Sequence, residues 1–407
     1  MQEYYYNEDV YSAALRRIRY IFDNFDHIIV GFSGGKDSTA VLHLALQVAE
    51  EKGRLPLEVF FIDQEGEWDC TIDYVREIMY DPRVKPSWLQ VPMVLFNATA
   101  SNGYDQWLHC WYEGEKWLRE KDPISIKENI YGTERFHELF SAYIRKTYPD
   151  RSVAYLSGVR CEEAPKRKMN LTGAMKGKPF YKWMYWGAVS NKGLNHFTFY
   201  PIYDWGYADV WKAIHDNGWH YNRLYDYQYM HGVKVRDMRV SNVHHETAIQ
   251  SLWYMQEIEP DLWNRITERL DGVNTSAVLN HEIFEVKELP YMFKDWEEYR
   301  DYLLEHLIED EDRKARFRKL FNNPAYRDCC VCEAWKEDWM RNCVRAILKN
   351  DFEGTTIVNF YMNADTANLR NYIRGREYEK DRNTRYINST PPTPKAGTRG
   401  RIRNNSV

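Results

Sequence analysis

His27-Ile28-Ile29-Val30-Gly31-Phe32-Ser33-Gly34-Gly35-Lys36-Asp37-Ser38 is the stretch that decides the fold. Its first six residues are short, β-branched and apolar, which predicts a buried parallel strand rather than an amphipathic one. From Asp37 to Lys52 the pattern turns helical, with Val41, Leu42, Leu44, Ala45 and Val48 facing a sheet and Gly53 as the stop. Between the two, adjacent glycines let the backbone approach an anion closely, and the free amides of the first helical turn supply donors with a favourable dipole. Lys36 adds a positive charge and Ser33 and Ser38 add hydroxyl donors. Asp37 can orient the turn or help hold Mg²⁺ against phosphates. Together these groups predict a polyphosphate cradle.

Two other patterns overlap this turn. Gly31-Phe32-Ser33-Gly34-Gly35 satisfies the G-x-S-x-G spacing of a hydrolase elbow, but only about thirty residues precede Ser33, too few to supply the strands and oxyanion loop such an elbow needs. The Walker A pattern fails, because it requires Gly-Lys followed by Ser or Thr after a four-residue spacer.

Working outward, an amphipathic helix is expected near residues 8–25, with Leu15, Ile18, Phe22 and Phe25 on one face. Leu57 to Ile62 reads as a second apolar strand ending at Asp63-Gln64-Glu65, followed by a helix near 68–80. Further strands are expected around Gln90 to Phe96 and at Val153 to Leu156. The alternation predicts an α/β fold with a doubly wound parallel sheet. Ligands bind outside the carboxyl ends of such strands, so Ser33, Asp63 and Gly158 are expected to share one crevice. There Asp63, and less so Glu65, would contact ribose hydroxyls, Mg²⁺ or an attacking group. Arg160, Lys166 and Arg167 would neutralise a second anion or the leaving pyrophosphate.

Ser33-Gly34-Gly35-Lys36-Asp37-Ser38 matches in full the Ser-Gly-Gly-x-Asp-Ser signature of the PP-loop ATP pyrophosphatases, a family this chain resembles. Ser157-Gly158-Val159-Arg160-Cys161-Glu162-Glu163-Ala164-Pro165-Lys166-Arg167, Pro201-Ile202-Tyr203-Asp204-Trp205 and Asn222-Arg223-Leu224-Tyr225-Asp226 are similar to segments of the branch holding phosphoadenosine phosphosulfate (PAPS) reductases and the ATP-using subunit of sulfate adenylyltransferase. Arg236-Asp237-Met238-Arg239-Val240-Ser241-Asn242 with His244, His245 and Glu246 resembles a subgroup typified by the immunoglobulin-binding regulator A protein, often encoded on prophages. The resemblance implies an adenine nucleotide α-hydrolase-like fold, ATP with Mg²⁺, and a companion protein with a ParB-like or sulfiredoxin-like domain. Reductases of this branch, as the resemblance implies, degrade the signature loop and carry a catalytic cysteine in a C-terminal Glu-Cys-Gly-x-His motif. This chain keeps the loop and lacks the motif, which favours ATP cleaved between its α and β phosphates to adenylate an acceptor. The alternatives are thiol-dependent reduction of a sulfonucleotide, and a regulatory module that binds ATP without turnover. In this reading Lys36, Asp37, Asp63 and Arg160 carry the chemistry. Ser33, Gly34, Gly35, Lys36, Asp37, Ser38, Asp63, Gly158, Arg160 and Arg167 hold the nucleotide.

At 407 residues the chain exceeds the usual size of one core. A nucleotide-binding domain over 1–240, a mainly helical domain over 241–380 and a disordered basic tail over 381–407 are expected. No apolar run is long enough to span a membrane and no basic-apolar leader opens the sequence, so a cytoplasmic location is expected. Net charge is -5, and the seven cysteines are odd in number, with four between 329 and 343, which does not suit a secreted disulfide framework. Cys329, Cys330, Cys332 and Cys343 are candidate ligands for Zn²⁺ or an iron-sulfur cluster, with buried structural thiols as the competing reading. The region 180–229 is crowded with Trp and Tyr, with Lys176, Lys178, Lys182 and Lys192 close by or among them. It suits either nucleic-acid contact or a core and oligomer surface, so a homo-oligomer or hetero-complex is expected.

Overall fold

The computed structural model describes residues 7–99, 107–173, 178–245, 251–270, 272–273, 288–308, 310–323 and 333–348, with 351, 354, 356–358 and 360. Helix α1 (Val10–Asn24) starts at Asp9, whose carboxylate accepts from the Ser12 amide. It leads into β1 (His27–Gly31), the cradle turn and α2 (Lys36–Glu51). Strand β2 (Leu57–Ile62) and helix α3 (Asp69–Met79) follow, as the sequence predicts.

Next come β3 (Val84–Leu89) and β4 (Met93–Phe96), and β4 pairs antiparallel with β5 (Trp107–Cys110). The single strand expected over 90–96 is therefore two segments, and the sheet strand lies upstream of the expected one. Pro86 hides it from a propensity reading, yet β3 is an edge strand, where a missing N–H is tolerated. Helix α4 (Phe136–Thr147), β6 (Val153–Leu156) and a short α5 (Pro165–Leu171) precede the hairpin of β7 (Gly187–Asn191) and β8 (His196–Phe199). Helices α6 (Tyr207–Asp216) and α7 (Leu224–Met230) complete this part. The sheet order is β3-β2-β1-β6-β8-β7, parallel throughout except for β7 at one edge. β1 is central, its order reversing there, so the turn after it opens into the crevice outside the strand ends.

Each sheet face carries its own core. One is filled by α1 and α2 against Val30, Val59 and Phe61, joined by Trp186, Phe199 and Trp205. Most of the aromatic stretch therefore serves packing, although Trp183 stays 55% exposed. The other face, with Ile29 and Phe60, is covered by α4 and by Val243, Leu252, Met255, Leu262, Trp263 and Ile266. The last five belong to α8 (Leu252–Ile258) and α9 (Pro260–Arg269), so the core runs across the boundary expected at 240. Helices over 296–306, 311–321 and 333–348 build a third cluster around Trp296, Phe317, Trp339 and Ile347. Among the described residues no helix is long and apolar enough to cross a membrane.

A buried carboxylate ties the amino-terminal ends of the strands. Glu58 accepts from Ser87 (3.0 Å), Tyr143 (2.6 Å) and Tyr148, and sits 2.9 Å from His27 Nε2. Burial by itself raises its pKa, but the hydrogen bonds from His27, Tyr143 and Tyr148 outweigh it and hold the group at about 2, against an ordinary 4.5. A depressed folded-state pKa means that this stabilisation is present above pH 4.5 and is lost as pH falls towards 2. The stability gap between the native chain and Glu58→Gln, measured by urea unfolding, is expected to shrink by roughly 3 kcal/mol across that window. A gap independent of pH would show that Glu58 is not held ionised.

Candidate active site at the β1 turn

The turn after β1 is shaped by local hydrogen bonds and one close approach. Gly34 has φ +70°, a left-handed conformation that favours glycine, and a Cβ there would stand 2.8 Å from Thr71 Cγ2. Ser38 Oγ donates to the Gly35 carbonyl (2.8 Å) and lies 3.2 Å from Ser33 Oγ, so both serine hydroxyls close the turn. Gly35, at the start of helix α2, offers no side-chain cap, and the Tyr225 hydroxyl takes the Lys36 amide in its place (2.9 Å).

The second loop comes within contact of the first. A Cβ on Gly158 would fall 2.7 Å from the Asp37 carbonyl carbon and 2.9 Å from the Ser38 amide nitrogen, both backbone atoms that cannot yield cheaply. Gly158→Ala is expected to cost about 1–3 kcal/mol, the range for overpacking, and to weaken pyrophosphate binding by separating the loops. Calorimetric binding on the folded variant checks it, and native affinity would show that the contact is not needed.

The charges around the turn are mostly paired. Asp37 accepts from Arg160 Nε at 2.6 Å and lies 3.3 Å from Lys36 Nζ. Arg160, buried, also bonds Glu162 at 2.8 Å, and Arg167 pairs with Glu163. Burial pulls the Arg167 guanidinium below its ordinary pKa; Tyr200 and Asp37 oppose that shift, while Arg239 and Arg160 add to it, so these groups share one field. Arg239 is exposed, and among the described residues it makes no ion pair. Lys36 is only 6% exposed: its backbone amide donates to Tyr225 Oη (2.9 Å), its ammonium reaches the Met238 carbonyl at 3.5 Å, and it lies 5.4 Å from the centroid of the Tyr225 ring.

The structure thus brings together Ser33, Gly34, Gly35, Lys36, Asp37, Ser38, Gly158, Arg160 and Arg167. It also adds residues to which the sequence reading gave no role. Asn222 Nδ2 donates to the Gly34 carbonyl (3.2 Å) and to Thr71 Oγ1 (2.8 Å), fixing the left-handed peptide. Asn222 and Tyr225 lie in a motif visible in the sequence, but its contact with the turn is set by α7 docking 190 residues downstream. Arg239 had only its charge as a signal.

Asp63 departs from expectation. It is fully buried, and its carboxylate accepts from Trp88 Nε1 (3.1 Å), Gln90 Nε2 (2.9 Å), the Glu65 amide (2.9 Å) and Arg119. Those four donors fill the acceptor positions of a carboxylate, so Asp63 organises its loop rather than facing ribose or metal. Glu65 is likewise spent on the amides of Trp111 and Leu118 and on Arg269 (2.9 Å).

A magnesium ligand at Asp37 does not fit either, since Arg160 and Lys36 already compensate that carboxylate. Among the described residues no group of three His, Cys, Asp or Glu side chains could hold a metal. Cys329, Cys330 and Cys332 lie outside the described residues, as do Lys176 and the tail from 381. Cys343 is buried in the third cluster. Burial, followed by Glu259, raises the Cys70 thiol; burial, followed by Glu65, raises Cys110; and burial lifts Cys161 to about 11.

The family described as phosphoadenosine phosphosulfate reductase domain matches residues 27–231, and a domain of unknown function (DUF3440) matches 232–328. The uncharacterized protein YbdN of Escherichia coli (strain K12) is 29% identical over 316 residues, covering 74% of this chain and 76% of its own length. The uncharacterized protein MJ0973 of Methanocaldococcus jannaschii is 25% identical over 297 residues, covering 70% of this chain but only 56% of that protein. The PAPS reductase of Candida auris aligns over 57% of this chain and 89% of its own, at 14% identity and a TM-score of 0.30, too low to bear on fold or function. The match over 27–231 takes in the cradle turn, the Gly158 loop and the Asn222 motif: the chain belongs to the phosphoadenosine phosphosulfate reductase domain family.

Proposed function

We propose that this protein binds Mg-ATP at the 33–38 turn and cleaves it between the α and β phosphates, adenylating an acceptor. The observation that carries the reading is the intact cradle: a left-handed Gly34, the start of α2 and Lys36, with Arg160, Arg167 and Arg239 around them. An acceptor oxygen would attack the α-phosphorus as the bond to the bridging oxygen breaks. A sulfate or carboxylate acceptor attacks as the anion, with no proton to lose, whereas a hydroxyl acceptor gives its proton to solvent; in both cases pyrophosphate leaves with the negative charge. The protein's part is positioning and electrostatic: backbone amides, Lys36 and the arginines neutralise charge that grows on the leaving group. Magnesium arrives on the phosphates of the nucleotide, and no step is assigned to it. Sulfate, a carbonyl or carboxylate, and a group on a macromolecule are acceptors of suitable chemistry, with a ParB-like or sulfiredoxin-like protein as companion.

Thiol-dependent sulfonucleotide reduction is less well supported. Such chemistry needs a thiolate, and Cys70, Cys110 and Cys161 are all held towards the neutral thiol by burial. The test is release of pyrophosphate and AMP from Mg-ATP, with sulfate, DNA and a companion protein added in turn. Pyrophosphate release supports the proposal. ATP binding without release in every combination would favour a nucleotide-responsive regulatory module, and no ATP binding would return attention to PAPS.

A further inference from the structure

The chain leaves the cradle at Asn222 and returns to it at Met238. Asn222 Nδ2 holds the Gly34 carbonyl at 3.2 Å, and the Met238 carbonyl lies 3.5 Å from Lys36 Nζ, so the residues between them border the mouth of the crevice. Residues 223–239 and the loop over 162–179 meet in the field that Arg239 and Arg167 share. Together these two segments hold nine Lys or Arg against four Asp or Glu, which is +5 in a chain whose net charge is -5.

The charges of the 223–239 segment are left open. Arg223, Lys234 and Arg239 are exposed and make no ion pair among the described residues, and Arg236 reaches only its exposed neighbour Asp237, at 3.7 Å. Arg16, Arg19 and Arg83, whose side chains also stand in solvent, are instead spent on Glu8 (2.7 Å), Glu51 (2.8 Å) and Asp81 (2.7 Å). Unpaired cations gathered at one mouth leave a positive potential that suits a polyanion. Apolar side chains stand among them. Tyr229 is 68% exposed and Met230 77% exposed at the end of α7, and neither joins a hydrophobic cluster. Tyr229 lies four residues after Tyr225, which holds the Lys36 amide, so both fall on one face of α7. The rise of one such turn is about 6 Å, or about two nucleotides of a stacked strand.

We propose that this rim binds single-stranded nucleic acid, with a base stacked on Tyr229 and phosphates on Arg223, Lys234, Arg236 and Arg239, so that the strand passes the mouth of the cradle. Single strands suit it because their bases are free to stack on an aromatic ring, whereas a duplex keeps its bases inside. Strand binding stands apart from the adenylation reading and goes beyond it by naming the macromolecule that the cradle would serve.

The test is fluorescence anisotropy of labelled DNA and RNA single strands of about 20 nucleotides with the full chain, over a salt series. Four phosphate contacts predict that log affinity falls with log salt at a slope of about -2.8, a loss of about fiftyfold between about 50 and 200 mM. Lys234→Gln combined with Arg236→Gln should flatten that slope by about 1.4. Tyr229→Ala should weaken binding about fivefold to a hundredfold, the range of one lost base stack, with the slope unchanged. These side chains are exposed, so the variants are expected to melt as the native chain does. Binding of either strand supports the rim, and the tighter of the two identifies its source. No binding at about 50 mM salt, or binding that none of these substitutions moves, would overturn it. Tighter binding of the annealed duplex would also overturn it. So would poly-glutamate bound as tightly as the strands with Tyr229→Ala without effect, which would assign the surface to an acidic protein. If a strand binds while neither pyrophosphate nor ATP does, the ATP reading falls and the rim stands; if ATP alone binds, the rim falls and the ATP reading stands.

Discussion

Lys36→Ala is expected to lower pyrophosphate release from Mg-ATP by roughly 10²–10³-fold, the loss seen when one preorganised donor to a developing charge is removed. The lysine backbone amide is anchored on Tyr225 and the turn is closed by Ser38 and Asn222, so the substitution takes away the ammonium and leaves the turn intact. Arg160 would keep its bonds to Asp37 and Glu162, so no buried carboxylate is stranded. A melting temperature near native with the rate lost would assign the charge to chemistry. Lys36→Arg should not rescue fully, because a planar guanidinium does not fit the covered space between Tyr225 and Met238 that a compact ammonium occupies. Release at the native rate from Lys36→Ala would remove Lys36 from the mechanism and the cradle reading with it.

The other large effect is on stability. Arg269, at the end of α9, bonds the fully buried Glu65 at 2.9 Å, Glu115 at 2.8 Å and the His109 carbonyl at 2.8 Å. Arg269→Ala leaves Glu65 buried without its cation, and breaking one partner of such a pair costs about 3–5 kcal/mol, a large share of a typical domain's stability. Two more links join the same helices to the start of α3: Glu259 accepts from the amides of Asp69 and Cys70, both at 2.8 Å, and Arg265 pairs with Asp69. A chain ending at residue 240 loses all three together with the part of the second core supplied by Leu252, Met255, Leu262, Trp263 and Ile266, and is expected not to fold cooperatively. Urea unfolding of Arg269→Ala and circular dichroism of the 1–240 fragment test these expectations. A fragment with a sharp unfolding transition would restore 241 as the start of a separate domain.

The same contacts explain what was hard to read in the chain. Strand β1, the glycine turn and α2 are contiguous, and their apolar period, adjacent glycines and following lysine act within a few residues, so local sequence carries them. Strand β3 escaped because Pro86 contradicts strand propensity, and only its place at the sheet edge makes it admissible. The run from Phe180 to Tyr229 is ambiguous in sequence because aromatic side chains serve cores and nucleic acids alike. Packing settles it where Trp186, Phe199 and Trp205 close over α1 and α2.

Sequence alone determined the cradle and the Gly158 and Arg160 loop that faces it, since each is a short motif following a strand of the right character. Tertiary structure decided the rest. Asp63 lies at the strand end where a ligand carboxylate was expected, but Arg119, Trp88 and Gln90 converge on it from outside β2 and fill its acceptor positions. Asn222, Tyr225 and Met238 reach the turn only because the chain folds back onto it 188 to 202 residues later. The physical reason is range: a turn's conformation and a helix's dipole are fixed by near neighbours, whereas the partner that satisfies a buried charge is chosen by which elements the hydrophobic core brings beside it.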